Sequence, residues 1–356
     1  IAWIDDGGSL RVGPQSAGSM PGPVAYGRGG TEPTVTDALI ALGYLDPEFP
    51  LGGQVKIDKP AAVAALAGLG ERVGMSVEEL SAGILHISNA QMADLARKVT
   101  VERGLDPRQF VLFAYGGAGP VFAAFVMREL GSRMAYVPAD SGVFSAFGML
   151  TSDIVFNEER SSTMRSPLGE SDIDQVNRLY AEIEERLLAR FEATGIDRDQ
   201  VRVTREVDIR FGMQVHELDT EVPPGPLDAA AMDAVMRAFV AKYESIYGED
   251  SAYLAAGMEF VTFRVIGTVD VDRPQLGVAA EEPDGDALIG TRSAYFGPQG
   301  YIPTEFYAGD RLCTGQVLKG PAVVQRRSDT VVLPPATRAE IDGYGGIIIT
   351  FDEADK

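Results

Sequence analysis

The sequence predicts an α/β protein whose first part carries a parallel or mixed sheet with helices packed on it. An apolar strand at Phe110–Tyr115 enters a glycine-rich loop, a helix follows at Val121–Leu130, and a second strand follows at Met134–Pro138. This strand–helix–strand order is typical of two strands joined by a crossover helix. After about residue 155, helices alternate with strands, and from Ser293 onward short strands lie between Gly and Pro turns. The later segments therefore predict an α+β region followed by a small β module.

We expect three parts, at residues 1–155, 156–285 and 286–356, with the stretch Glu281–Ala287 as the best linker. The second part is predicted to contain two helices and several strands. The helices are expected at Ile173–Thr194 and Asp228–Tyr247, and the strands at Val201–Phe211, at His216–Val222 and as a pair around Phe260–Val271.

The chain opens with a hairpin pattern. Strand-like segments at Ile1–Ile4 and Ser9–Val12 flank an Asp-Gly-Gly turn. The sequence begins without Met and without a signal-peptide pattern. We therefore expect it to be the downstream half of a longer or split polypeptide.

Three helices are predicted before the glycine-rich loop. The first spans Asp37–Leu45 with Thr36 or Asp37 as its cap, and the second spans about Pro60 to Val73. The third begins with an S-x-x-E capping box at residues 76–79 and runs to about residue 103. Its expected apolar stripe is Leu80, Ile84, Ile87, Leu95 and Val99.

Composition excludes several classes of protein. With 52 acidic and 31 basic residues the formal net charge is -21, which would repel a phosphate backbone, so nucleic acid is not an expected partner. No apolar run approaches the roughly 20 residues of a membrane span, so no membrane is expected either. The single cysteine, Cys313, excludes a disulfide framework and favours a reducing cytoplasm.

The loop in VLFAYGGAGPVFAAFVMREL is the strongest candidate site. A Walker A loop needs Gly-Lys, which does not occur in the sequence, and the Rossmann fingerprint fails because Phe122 stands where its third glycine belongs. What remains is a glycine loop opening a helix, with Pro120 suited to the first turn. Such a loop admits either a nucleotide against its bare backbone or a tight structural turn.

A second candidate lies in the Gly- and Pro-rich residues 13–36. The loop Arg28-Gly29-Gly30-Thr31 could bind substrate or phosphate, with Arg28 clamping an anion, or be an ordinary solvated loop. Thr36 and Asp37 could be catalytic, with Asp37 positioning Mg²⁺ or a water, or could simply cap the helix. A His/Cys zinc site is not expected, because His86 and His216 are far apart in the sequence.

Three long segments carry a family resemblance: PGPVAYGRGGTEPTVTDALIALGYL, SNAQMADLARKVTVERGLDPRQFVLFAYGGAGPVFA and VPADSGVFSAFGMLTSD. Together they resemble the hydantoinase A / 5-oxoprolinase family, which includes ATP-dependent subunits of acetone and acetophenone carboxylases. FGMQVHELDT and YGEDSAYLAAGMEFVTFRV look more like the carboxylase-type members. The ending GPAVVQRRSDTVVLPPATRAEIDGYGG looks like the family's C-terminal β module.

The resemblance implies half of an actin/hexokinase-like (ribonuclease H-like) ATPase core in residues 1–155. It assigns the adenosine-binding part to Gly116, Gly117, Ala118 and Gly119, and it implies ATP and Mg²⁺ as cofactors. The family's Asp-x-Gly-Gly-Thr phosphate loops are absent from this sequence. We therefore expect an upstream ATPase half and a hydantoinase B-like subunit as partners.

Two functions follow. In the first, the chain is part of an enzyme that uses ATP to phosphorylate a carbonyl or enolate oxygen, for ketone carboxylation or cyclic amide hydrolysis. In the second, it is a scaffold half whose catalytic loops lie on another segment. Nucleotide binding separates the two.

Overall fold

The structure, a computed structural model, describes residues 1–49, 55–275, 277–278 and 286–352. Most of the predicted linker, residues 281–285, lies outside the described residues. The chain forms two compact units: a first unit of Ile1–Met149 with Gln275–Lys356, and a second unit of Leu150–Pro274. The C-terminal strands therefore share one unit with the N-terminal residues. The division into three parts stays a prediction.

Seven α-helices lie among the described residues. They are α1 (Val35–Ala41), α2 (Lys59–Glu71), α3 (Val77–Val101), α4 (Gly119–Leu130), α5 (Phe144–Thr151), α6 (Glu170–Glu192) and α7 (Ala229–Tyr247).

Fifteen strands lie in the same described ranges. They are β1 (Ala2–Ile4), β2 (Leu10–Val12), β3 (Leu112–Phe113), β4 (Met134–Val137), β5 (Ile154–Arg165), β6 (Arg202–Phe211), β7 (Leu218–Val222), β8 (Met258–Val269), β9 (Leu288–Tyr295), β10 (Tyr301–Ala308), β11 (Val317–Lys319), β12 (Ala322–Gln325), β13 (Thr330–Leu333), β14 (Thr337–Ile341) and β15 (Ile347–Phe351). The predicted opening hairpin is confirmed, because β1 and β2 pair antiparallel.

Two sheets organise the first unit. One has the strand order β11-β14-β15-β4-β3 and the other the order β13-β12-β10-β9. β3 and β4 pair in parallel, with Leu112 beside Ala135, which confirms the predicted strand–helix–strand crossover. β15 pairs antiparallel with β4, so the last strand among the described residues extends the sheet that carries the glycine loop.

Helix α4 is apolar on nearly every face because it packs against helices and strands at once. Val121, Phe122 and Val126 belong to a core shared with the N-terminal helices, and Ala124 and Met127 to a core shared with the C-terminal strands. A helix that is hydrophobic all round is typical of a buried one. α4 is therefore fixed from both sides, and so is the loop at its start.

Helix α3 begins with the predicted capping box, but its predicted apolar stripe is correct only at the start. Leu80 and Ile84 are buried, whereas Leu95 and Val99 are 64% and 45% exposed. No residue of α3 after Ala93 is buried, so the last turns of the helix lie closer to solvent than its start. Further along the buried face of α3 lies the polar Asn89.

The second unit is an antiparallel sheet with the order β5-β8-β6-β7, on which α6 and α7 pack. The predicted strand pair near residue 260 is wrong, because β8 is one strand of 12 residues. Its Gly267 makes no turn: a Cβ there would lie 2.5 Å from the ring of Phe191, so the glycine leaves room for that ring. β5 was not predicted. Its middle is a polar run, residues 157–163, and Glu158 within it pairs with Arg186 and Arg190 on α6.

Candidate nucleotide-binding site

The glycine loop, residues 116–119, connects β3 to α4 and adopts a fixed shape. Gly116 has a φ of 85°, a left-handed conformation that glycine adopts without strain. Its N–H donates to the carbonyl oxygen of Ser141 at 2.7 Å. Ala118 is the N-cap of α4 without a side-chain cap bond, and Pro120 stands in the first turn. The first turn of a helix carries backbone N–H groups that the helix itself leaves unpaired.

The outer side of the glycine loop is open. Gly117 and Ala118 are exposed, and a Cβ built on Gly117 would have the carbonyl oxygen of Ser328 as its nearest neighbour, at 3.6 Å. A flat or anionic group can therefore approach this backbone closely. Since the N-terminal end of a helix is electropositive, the loop favours an anion or a polar ring edge.

The turn between β12 and β13, residues 326–329, packs against the inner side of the glycine loop and is called its floor. It carries Ser328 and Asp329. The Oγ of Ser141 donates to Oδ2 of Asp329 at 2.7 Å, and Gly142 packs against the Ser328 side chain. Ser141 thus links the N–H of Gly116 to Asp329, which lies 188 residues after Ser141 in the sequence.

Arg326 completes this floor with a buried charge. Its Nε donates to Oδ1 of Asp329 at 2.9 Å, and the two side chains are 9% and 0% exposed. The Nη1 and Nη2 atoms are buried and have no hydrogen-bond partner among the described residues. Gly309 leaves room for the aliphatic part of Arg326, since a Cβ there would overlap it. This pair is not among the residues predicted from the sequence. Its signal in the sequence is the charged run of VVQRRSDTVV, which lies in a turn between two fully buried strands.

Aromatic rings lie directly before the loop. Phe113 and Tyr115 are 45% and 50% exposed. Both contact Phe144 on α5, with ring centroids 5.3 and 5.7 Å away. β3 is the edge strand of its sheet. The glycine loop is therefore bordered by exposed apolar surface at a sheet edge.

The second predicted site has a different character. Asp37 is fully buried, and its carboxylate accepts hydrogen bonds from the backbone N–H groups of Val24, Ala25 and Thr34 and from the Thr34 hydroxyl, at 2.8–3.2 Å. These contacts hold the loop at residues 24–25 against the start of α1. In this geometry Asp37 is a positioning residue, and its catalytic role stays a prediction.

The cap of α1 is Thr34, not Thr36 or Asp37 as predicted. The Thr34 side chain accepts from the N–H of Asp37 and the Asp37 side chain accepts from that of Thr34, a reciprocal capping box that starts the helix two residues early. Thr36 is half-buried. Its catalytic role also stays a prediction.

The predicted substrate or phosphate loop is mostly solvated. Arg28, Gly29 and Thr31 are exposed, and the Arg28 guanidinium lies 6.0 Å from the ring centroid of Tyr26. Gly30 is required for packing, because a Cβ there would overlap the carbonyl oxygen of Gly22. Anion binding by this loop stays a prediction.

Comparison with known protein families decides the identity of the chain. The hydantoinase/oxoprolinase model matches residues 1–158, and the hydantoinase/oxoprolinase C-terminal domain model matches residues 168–349. The chain belongs to the hydantoinase/oxoprolinase family. The resemblance inferred from the sequence is thereby confirmed.

Several relatives of this family member are similar along nearly its whole length. It is 35% identical over 349 residues to the uncharacterized protein MJ0964 of Methanocaldococcus jannaschii, covering 97% of this chain and 48% of that one. It is 33% identical over 347 residues to caprolactamase subunit alpha of Pseudomonas jessenii, covering 96% and 50%. The chain spans about half the length of these curated relatives.

A solved structure supports the fold. The nucleotide-free structure of acetone carboxylase, from work on ATP-dependent acetone carboxylation, superposes with a TM-score of 0.88 at 28% identity, covering 98% of this chain and 51% of that one. The mixed α/β architecture with several sheets is as predicted and is consistent with an actin/hexokinase-like ATPase fold.

The described residues of this hydantoinase/oxoprolinase chain bring no three His, Cys, Asp or Glu side chains together in a way that could hold a metal ion. Asp37, the predicted Mg²⁺-positioning residue, already accepts four hydrogen bonds. Mg²⁺ as a cofactor stays a prediction. Across the described part of the chain, no helix is both long and apolar enough to cross a bilayer.

Proposed function

We propose that this chain forms the adenosine-binding side of an ATP-dependent enzyme that activates a carbonyl or enolate oxygen by phosphorylation. The observation that carries the proposal is the open glycine loop at the start of α4. Gly117 and Ala118 present exposed backbone there, while Gly116 is held from below through Ser141. This combination of an approachable backbone and a rigid support is what a nucleotide-binding loop requires.

The relatives support ATP as the cofactor, since the acetone carboxylase structure is described with ATP-dependent chemistry. They also support two substrate classes, ketones from acetone carboxylase and cyclic amides from caprolactamase. In both, transfer of a phosphoryl group to the carbonyl or enolate oxygen makes a poorly reactive group reactive. For the cyclic amide, water then adds to the activated carbon, the C–N bond breaks and phosphate leaves. For the ketone, the carbon of the phosphorylated enol attacks bicarbonate that a second ATP has phosphorylated, the new C–C bond expels that phosphate, and the enol phosphate is released by water.

In this proposal the chain's own residues position ATP and do not perform the bond-breaking step. The glycine loop contacts the adenosine, and the buried Arg326–Asp329 pair keeps the loop in place. Phosphoryl transfer depends mainly on positioning and charge stabilisation. We assign the phosphate loops to an upstream ATPase half, expect a hydantoinase B-like partner subunit and Mg²⁺, and place the assembly in the cytoplasm.

A scaffold role is the second candidate. Its support is the second predicted site, where the Asp37 carboxylate holds backbone groups together, and the exposed aromatic edge at Phe113 and Tyr115. In that case the chain would provide structure and contacts between subunits but would bind no nucleotide.

Phosphate release from Mg-ATP tests the proposal, with the upstream half and partner subunit supplied. Hydantoin, 5-oxoproline, ε-caprolactam, and acetone or acetophenone with bicarbonate are the substrates. We expect one of them to stimulate release and Gly117→Val to abolish it. Gly68→Val is the matched control, because Gly68 is an exposed glycine of α2 with no atom within 4 Å of its Cβ position. Folded complexes without stimulated release, or equal loss in both variants, would favour the scaffold.

A further inference from the structure

An apolar patch is exposed at one end of the sheet of the second unit, where β6 ends and β8 begins. Its six side chains are between 51% and 97% exposed. They belong to the loop after β6, to the last turn of α7 and to the segment before β8, and they are Met213, Val215, Ile246, Tyr247, Tyr253 and Leu254. Single exposed apolar side chains are ordinary on a protein surface, whereas a contiguous group of them marks an interaction site.

Hydrogen bonds hold the three segments of the patch together. The Nε2 of Gln214 in the loop donates to the Tyr243 hydroxyl on α7 at 2.9 Å. The ring of Tyr247, one turn further along α7, lies 4.5 Å from that of Tyr243, measured between centroids. On the other side of the loop, the N–H of Gly212 donates to the carbonyl oxygen of Gly257 at 3.0 Å. The loop is therefore fixed between α7 and the start of β8, and the six side chains form one surface.

Met213 has a conformation that the stability of the folded chain does not explain. Its φ of 68° lies in the left-handed region, where a residue other than glycine is strained. Its side chain is 97% exposed and so adds nothing to the core. A glycine would adopt the same φ without strain. A strained backbone that carries a fully exposed apolar side chain is what we expect where that side chain contacts another molecule.

The charges around the patch favour a partner that differs from this chain. Glu249 and Asp250, both exposed, lie between the two tyrosines of the patch. Arg210 before the loop and Lys242 on α7 are already paired with carboxylates. A second copy of the chain, whose formal net charge is -21, would bring these acidic groups face to face, and like charges across an interface are unfavourable. The patch therefore fits a different polypeptide with an apolar centre and a basic rim.

We propose that this patch is the surface on which the hydantoinase B-like partner subunit docks, with Met213 in an apolar contact and basic groups of the partner facing Glu249 and Asp250. The inference deepens the proposed function, from which the partner subunit is taken, by giving that subunit a place on this chain. Tyr and Met are enriched in the buried centres of protein interfaces. Charges at the rim act mainly on the rate of association and on its salt dependence.

Isothermal titration of the intact polypeptide with the separately purified partner subunit, in the absence of nucleotide, tests the inference. We expect the two to bind and Met213→Gly to weaken binding by about tenfold, the loss typical of a side chain central to an interface. Because glycine adopts the left-handed φ without strain, the thermal unfolding midpoint of this variant should change little. The variant thus separates lost binding from lost folding.

Two exposed valines of the second unit provide a matched control. Val215 belongs to the patch, whereas Val155 on β5 pairs with Thr268 near the end of β8, and the patch lies at the start of that strand. Val215→Ser should weaken binding of the partner subunit by about threefold to tenfold, and Val155→Ser should leave it unchanged.

The rim charges have a readout of their own. Raising the NaCl concentration from about 0.05 M to about 0.5 M should weaken binding of the partner subunit, because salt screens the attraction between exposed charges. Glu249→Gln should slow association and reduce this salt dependence. Binding that does not weaken with salt would contradict a basic rim on the partner.

Absence of binding by the unmodified polypeptide, equal binding by Val215→Ser and Val155→Ser, or unchanged binding by a folded Met213→Gly would overturn the inference. A dimer of the polypeptide alone that Met213→Gly dissociates, seen by analytical ultracentrifugation, would also overturn it, since the patch would then join two copies. Failure of the proposed function gives another result, because partner binding that depends on Met213 without substrate-stimulated phosphate release contradicts only that function. Conversely, stimulated release by an assembly that forms equally well with Met213→Gly contradicts only the docking surface.

Discussion

The first unit contains two glycine-rich segments, residues 22–37 and residues 116–119, that look alike in sequence and differ in structure. In the first, Gly30 packs against a backbone carbonyl group and the Asp37 carboxylate accepts four hydrogen bonds. In the second, Gly117 has open space on its outer side, and the hydrogen bond between Ser141 and Asp329 supports the loop from its inner side. The same residue types close one segment on itself and leave the other available to a ligand.

The difference follows from where the buried carboxylates, Asp37 and Asp329, find their hydrogen-bond partners. Asp37 finds its donors within 13 residues of sequence, so the first segment is complete without a ligand. Asp329 finds Ser141 in a distant part of the chain, and its partner Arg326 keeps two buried nitrogens without a partner. We therefore expect ligand binding at the segment where buried polar groups still lack hydrogen-bond partners.

The largest expected effect is on stability, at the closed segment. Asp37→Ala removes the acceptor of three backbone N–H groups and one hydroxyl, so we expect a loss of about 3–4 kcal/mol in the free energy of unfolding. Urea denaturation measures it, with Thr31→Ala in the solvated loop as a control that should change it by less than about 0.5 kcal/mol. An Asp37→Ala protein of normal stability that has lost ATP hydrolysis would instead support the catalytic prediction.

The buried support of the open loop comes next. Arg326→Gln leaves the Asp329 carboxylate buried without its cation, so we expect a loss of about 3 kcal/mol together with weaker ATP binding by the intact assembly. Arg327→Gln changes the neighbouring arginine, which is exposed, and should cost less than about 0.5 kcal/mol. Equal losses of stability and binding in the two variants would show that the buried pair does not support the loop.

A matched pair of alanine substitutions compares the segments directly. Gly30→Ala forces a methyl group against the Gly22 carbonyl oxygen and should destabilise the protein by about 1–3 kcal/mol. Gly117→Ala places the same methyl group 3.6 Å from its nearest neighbour and should change stability by less than about 0.5 kcal/mol. Thermal unfolding of both proteins measures the difference, and similar values would remove the distinction between a closed and an open segment.

The smallest expected effect is on the alkaline titration of Tyr26, which lies in the first glycine-rich segment. Burial raises the pKa of Tyr26 above its ordinary value, and the neighbouring Asp37 charge raises it further. Because the folded pKa lies above the unfolded value of about 10, this contribution to stability is present below pH 10 and declines as the pH rises through the folded pKa. Phenolate absorbance during a pH titration, compared with that of Tyr26→Phe, measures the shift. A Tyr26 that titrates at its ordinary value would mean that the segment is open to water.

Local sequence patterns determined much of this protein. The opening hairpin, the capping box of α3, the β3–α4–β4 crossover, the long helices of the second unit and the family itself are all present in short stretches of sequence, because each depends on neighbours a few residues apart. Tertiary structure decided the rest. The start of α3 is buried, while no residue after Ala93 is, and Gly267 leaves room for the ring of Phe191 on α6. The floor of the glycine loop joins residues 141 and 329. Those features depend on contacts between distant residues, whose packing no local pattern encodes.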